Sequence, residues 1–143
     1  MENARIEQRA GVRATSDRIW EVLSDFDGWD RWNPHETAVS GTIAFGGSVS
    51  LTEALPDMPA RQVAGRIGDW QPRAQLVWTE NRGFLFRSIR YFEIEELAPG
   101  SCIIATGVIF SGLRGELFHD RHRAAIRAAY AEIVEGLRTA SEA

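Results

Sequence analysis

Alternation along the sequence sends two opposite charges in among apolar side chains. In the stretch from Phe84 to Leu97, Phe92 and Ile94 are apolar while Glu93 and Glu95 are charged. Phe84, Phe86, Ser88, Arg90, Phe92 and Ile94 therefore share an inner face. By the same parity Leu76 and Trp78 point inward, as do Val49, Leu51 and Glu53. An unpaired charge in such surroundings costs several kcal/mol, so either Glu53 and Arg90 pair or one of them reaches solvent at a mouth. The chemistry on offer is a guanidinium that binds a carboxylate or enolate, with Glu53 as base or hydrogen-bond partner. The structural alternative is an ion pair, or a strand end that emerges into water.

His35 follows Trp32-Asn33-Pro34 and is the third catalytic candidate, expected at the pocket entrance, with a surface-loop histidine as the alternative. His119 and His122 are three apart on a helical stretch, a spacing that can put two imidazoles on one metal. A third ligand would have to be His35 or an acid, and Asp120-Arg121-His122-Arg123 reads as a solvated turn, so no metal site is expected. The single cysteine, Cys102, has apolar neighbours by parity and reads as an inert buried thiol.

All 16 basic residues are Arg, which removes Schiff-base chemistry and a lysine-bearing phosphate loop; no cofactor is expected. With 20 acidic residues the formal charge is −4, without the basic patch that nucleic-acid binding needs. No apolar run is long enough for stable membrane insertion. Met1 to Arg5 lacks a basic-then-apolar leader, so the expected location is cytoplasmic.

The elements that must position these groups follow from the periods. The chain's 143 residues suit one domain, 1–143. Ile6 to Ala14 alternates as a strand covered on one side. Ser16 is a good helix cap, and Ile19, Trp20, Leu23 and Phe26 follow at helical spacing. Asp27 to Asn33 reads as a short second helix ended by Pro34. Six strands come next: Thr37–Phe45 and Ser48–Ala54 around a Gly46-Gly47 hairpin, then Arg61–Trp70, Gln75–Glu80, Phe84–Leu97 and Ser101–Ser111. Past Gly112 the period becomes 3.6, with Ile126, Tyr130, Ile133 and Leu137 striping a helix of about 25 residues. A run of strands joined by tight turns is antiparallel, and only the last helix is large enough to cover it. The fold class is α+β: a curved seven-stranded antiparallel sheet around a long C-terminal helix.

These residues resemble the START-like superfamily, also called SRPBCC or the birch-pollen-allergen-like helix-grip fold. Within it the likeness is to bacterial polyketide cyclase/dehydrase and lipid-transport-type proteins. Its carriers are Ala14 to Leu23, Trp29 with Trp32-Asn33-Pro34, Gly46-Gly47, Leu76-Val77-Trp78, Tyr91 to Glu95 and Phe110-Ser111-Gly112. The resemblance implies that Phe110 points inward, and Cys102, Ile104, Thr106 and Val108 with it. On the last helix, His119, His122, Ile126, Tyr130 and Ile133 fall on or near the inward stripe.

The resulting cavity lining is Val49, Leu51, Glu53, Leu76, Trp78, Phe86, Ser88 and Arg90, continued by Phe92, Ile104, Thr106, Val108, His122, Ile126 and Tyr130. A concave, mostly apolar pocket with a few polar groups is the usual form of a small-molecule site. The resemblance implies a carrier of a lipid, polyketide-like or aromatic ligand. The alternatives are a cofactor-free cyclase/dehydratase and a protein-interaction module of the chaperone-activator type. Val77, Ile89, Tyr91, Ile103 and Ile109 have outward parity and predict a homodimer.

Overall fold

The computed structural model describes residues 4–143. Strand β1 (Arg5–Val12) leads into helix α1 (Ser16–Ser24) and a 3-10 turn (Phe26–Arg31). The strands β2 (Glu36–Gly41), β3 (Ser48–Glu53), β4 (Arg61–Gln71), β5 (Gln75–Gly83), β6 (Phe86–Ala98) and β7 (Ser101–Ser111) follow, and helix α2 (Leu113–Glu142) closes the chain. They form one seven-stranded sheet in the order β1-β7-β6-β5-β4-β3-β2, with every neighbouring pair antiparallel. Among the described residues no helix is long and apolar enough to cross a membrane.

The sheet curls until strands far apart in its order meet. Arg90 of β6 donates to Glu36 on the edge strand β2, although β5, β4 and β3 lie between them in the sheet. Helix α2 lies in the concavity and buries Ile126, Tyr130, Ile133 and Leu137, each at most 2% exposed. That is the stripe its 3.6-residue period marks out. Trp29 is fully buried, donates its indole N–H to the Leu23 carbonyl, and meets Trp32, Trp78 and Phe92 ring to ring at 5.1–6.2 Å. The 3-10 turn is thereby anchored in the core.

Several local expectations are corrected. Thr15, not Ser16, caps α1, its hydroxyl accepting the Arg18 amide. Ser16 is buried and donates to Glu96. Gly46-Gly47 is not a two-residue hairpin. Strand β2 ends at Gly41, and the connection through 42–47 is tied to β4, with the Gly46 amide on the Ile67 carbonyl and the Ile67 amide on that of Gly47. Phe84 is 79% exposed instead of inward. The β5–β6 turn passes through Gly83 at φ 130° and Leu85 at φ 57°, so regular alternation begins only at Phe86. Helix α2 runs 30 residues, longer than its stripe suggested.

Tyr91 faces outward as expected but is only 4% exposed. Its ring lies across Gly107, where an added Cβ would sit 2.3 Å from the hydroxyl oxygen, and it donates to Glu7. Val77, Ile89, Ile103 and Ile109 remain half-buried on the convex face.

Candidate functional site

The Trp32-Asn33-Pro34 segment builds the first part of the site. The Asn33 side-chain oxygen accepts the amides of His35 and Glu36, and its amide group donates to Glu36 Oε1. This turn delivers the Glu36 carboxylate into the interior, where Arg90 binds it in a fork: Nε to Oε2 at 2.9 Å and Nη2 to Oε1 at 2.8 Å. Arg90 Nη1 donates to the Tyr91 and Gly107 carbonyls and to Thr106 Oγ1. The guanidinium also faces the Tyr130 ring at 4.2 Å and that of Phe92 at 4.5 Å. The side chains of Arg90 and Glu36 are only 5% and 2% exposed. Burial opposes the Arg90 charge, but the field and hydrogen bonds of Glu36 outweigh it and hold the pKa above the ordinary arginine value.

A second cluster stands nearer the mouth. Glu53 pairs in register with Glu36 on one side and with Arg61 on the other. Arg61 Nε donates to Glu53 Oε1 at 2.8 Å, and its two terminal nitrogens take Glu80 in a fork at 2.8 Å each. Burial raises the Glu53 pKa despite Arg61, and the nearby Glu36 charge adds to the rise. Burial also raises that of the Tyr130 phenol.

Arg82 is different. Among the described residues it forms no carboxylate fork; Glu53 and Glu80 act on it only at a distance. Its guanidinium lies 4.5 Å from the Phe86 ring centre, 4.7 Å from Phe118 and 6.0 Å from Phe110. Burial, reinforced by the charge of Arg61, lowers its pKa.

These groups surround one small enclosed space of about 20 Å³ between the sheet and α2. That is room for about one water, far below the several hundred Å³ of a typical ligand pocket. Of the expected lining, Glu53, Trp78, Ser88, Arg90, Val108, Ile126 and Tyr130 border it. Val49, Leu51, Leu76, Phe92, Ile104 and Thr106 are buried but packed away in the core. Phe86 stacks with Phe110 and Phe118 at the rim, and His122 lies against Phe118 outside the space. Glu53 and Arg90 share the cavity without pairing to each other.

His35 joins the Ala54 carbonyl to Glu132 of α2 and does not border the space. His119 is buried and bonded to the adjacent Asp120. Among the described residues no three His, Cys, Asp or Glu side chains are grouped to hold a metal. Burial, and then the charge of Glu96, raises the pKa of Cys102.

Sequence reasoning missed Glu36, Arg61, Glu80 and Arg82. The signal existed for three of them. Glu80 and Arg82 continue the parity of Leu76 and Trp78, and Arg61 that of Val63 and Ile67, both buried. Glu36 carried none, because its orientation depends on the Asn33 turn.

A curled sheet gripping a long final helix over an enclosed polar space defines a START-like helix-grip protein. The chain belongs to the polyketide cyclase / dehydrase and lipid transport family, whose model matches residues 3–142. Among solved structures it is similar to the Zhui aromatase/cyclase from Streptomyces sp. R1128, at 16% identity and TM-score 0.77 over 96% of this chain and 93% of that one. A START superfamily protein from Mycobacterium smegmatis gives 17% identity and TM-score 0.66, covering 96% and 94%. The di-domain ARO/CYC BexL of the BE-7585A biosynthetic pathway gives 12% and 0.71; it matches 93% of this chain, which spans 46% of BexL. At these identities the likeness concerns the fold alone. No curated protein matches by sequence.

Proposed function

We propose that the protein binds a small molecule with an apolar body and an electron-rich head in the space between sheet and α2, without a cofactor. The observation that carries this is Arg82. Among the described residues the interior charges of Glu36, Glu53, Arg61, Glu80 and Arg90 each have a close partner, and the Arg82 guanidinium is held among three phenylalanine rings at the rim. Arg90, the arginine favoured from sequence, is already saturated by Glu36 and backbone carbonyls. A carboxylate, enolate or polarised carbonyl would complete Arg82, and Phe86 and Phe118 would cover the apolar part. A core evolved for stability alone gains little from six interior charges, since apolar residues of similar volume do as well or better.

The test uses 2-naphthoate and 2-naphthol as probes in calorimetric titration. Naphthoate should bind, and Arg82→Met should weaken it about tenfold or more while leaving 2-naphthol little changed. Equal naphthoate affinity in both proteins, or no binding by the parent chain, refutes the assignment.

One observation favours a second reading, a cyclase/dehydratase-type reaction. Glu53 uses one oxygen on Arg61, and burial holds its proton affinity up beside the Tyr130 phenol. Such a carboxyl can pass a proton during aldol closure or water loss. Glu53→Gln would then cut turnover of a poly-keto substrate by about a hundredfold or more. A homodimer through Val77, Ile89, Ile103 and Ile109 completes the proposal; a monomeric mass at micromolar concentration in light scattering removes it.

A further inference from the structure

Four of the large exposed apolar side chains gather at one end of the molecule: Phe84 at 79% exposure, Leu85 at 46%, Leu113 at 62% and Leu117 at 60%. The backbone holds them together. The Arg114 and Gly115 amides donate to the Leu85 carbonyl, and Arg114 Nη1 donates to that of Phe84 at 3.2 Å. Gly112 makes this close approach possible, since an added Cβ would lie 2.2 Å from the Leu85 oxygen. Leu85 sits at φ 57°, a left-handed conformation that a bulky residue adopts only when its surroundings enforce it. Leu113 and Leu117 are one helical turn apart on a single face of α2.

Arginines ring this apolar tip. Arg87 pairs in register with Ser111 beside the helix start, Arg114 lies against the turn, Arg121 follows Leu117 by one turn, and Arg82 stands behind at the cavity rim. The acids alongside are Glu116 and Asp120. Arg82 belongs with the interior acids Glu53 and Glu80. Among the described residues, the three exposed arginines against two anions give this end a local charge of +1, on a chain whose net charge is −4.

The patch is built of protruding side chains, a β-turn tip and the outer face of a helix's first turns. Protein-binding hot spots favour Trp and Tyr and disfavour Leu. Projecting Phe and Leu with flanking Arg is the composition that enters the boundary between lipid headgroups and acyl chains. We propose that this end of the protein docks reversibly on an anionic lipid surface, with Phe84 and Leu117 in the acyl boundary and Arg87 and Arg114 against lipid phosphates. Docking of this kind needs no membrane-crossing segment and does not depend on the interior site.

The experiment is co-sedimentation of the full chain with vesicles of phosphatidylcholine alone, or mixed two to one with phosphatidylglycerol. The mixed vesicles should retain the protein, and added salt should weaken retention. Phe84→Ser with Leu117→Ser should reduce the partition coefficient roughly tenfold or more, and Arg87→Gln with Arg114→Gln about fivefold or more. Phe45→Ser, at an 87% exposed site away from the patch, should leave it unchanged. All these side chains are outside the core, so melting temperature should hold and report that the variants fold. No retention by the parent chain, equal retention on pure phosphatidylcholine, or undiminished retention of the Phe84/Leu117 variant overturns the proposal. So does a solution mass that halves in that variant, which would give the patch to a second copy of the chain.

Discussion

Replacing Arg90 by Met should be the most damaging single change in the interior, and the structure sets its size. The substitution keeps much of the volume beside Tyr130 and Phe92 but removes the guanidinium. Glu36, 2% exposed, would then be left with only the Asn33 amide as a side-chain donor. The Tyr91 and Gly107 carbonyls and the Thr106 hydroxyl would lose a donor at the same moment. Removing one member of a buried pair costs about 3–5 kcal/mol, because the survivor stays desolvated and unpaired. A domain of this length is stable by roughly 5–15 kcal/mol in total.

Urea unfolding followed by tryptophan fluorescence reads this directly. With a slope of about 1.5 kcal/mol per molar urea, the midpoint should fall by roughly 2–3 M at unchanged slope. Glu36→Leu should cost a similar amount. The double variant Glu36→Leu/Arg90→Met should cost much less than the sum, with a coupling of about 3 kcal/mol or more, because no stranded charge remains. An Arg90→Met loss below about 1 kcal/mol, or strict additivity in the double variant, would refute the claim that this pair is tightly coupled and desolvated.

Two further outcomes follow from the same structure. Burial holds the Glu53 pKa above its ordinary 4.5, so its contribution to stability is full below that value and is lost as pH rises through the folded-state value. The urea midpoint of the parent chain relative to Glu53→Gln should therefore decline as pH rises above about 4.5, and a flat or rising difference contradicts it. Gly107→Ala should destabilise by about 2 kcal/mol or more, because the new methyl meets the Tyr91 hydroxyl at 2.3 Å and the Ile6 carbonyl at 2.7 Å. Gly107→Ala with Tyr91→Ala should recover only part of this in thermal melts, since the backbone contact stays.

Regular periods made the architecture legible. Alternation in β6 and β7 and the Ile126-Tyr130-Ile133-Leu137 stripe sufficed to place sheet against helix, because burial on one face imposes those periods. Irregular backbone erased the signal locally. Phe84 reads as inner by counting back from Phe92, but positive φ at Gly83 and Leu85 breaks the count. The pairing of charges was hidden for a different reason. Arg90 meets Glu36 across the curl of the sheet, 54 residues away, and sequence parity says which face a side chain takes but not how far the sheet bends. Glu80 and Arg82 were within reach of parity; ending their strand at Glu80 left Arg82 out.

The enclosed space is about 20 Å³, so a guest of useful size must make its own room. The deep wall cannot supply it. Trp29, Trp78 and Phe92 are locked ring to ring, and the Glu36–Arg90 fork ties β2 to β6. The rim can, because Arg82, Phe86 and Phe118 are each already half-buried. Fully exposing an aromatic side chain uncovers about 150–250 Å², and these two have roughly half of that left to expose. At about 25 cal/mol per Å², swinging both outward costs on the order of 4–5 kcal/mol. A guest recovers this only by burying some 200 Å² of its own apolar surface, about that of a two-ring aromatic. Smaller molecules meet a closed door whatever their head group, so affinity across a series of carboxylates should rise steeply between benzoate and naphthoate. A series in which benzoate binds as tightly as naphthoate would show that the rim does not have to open.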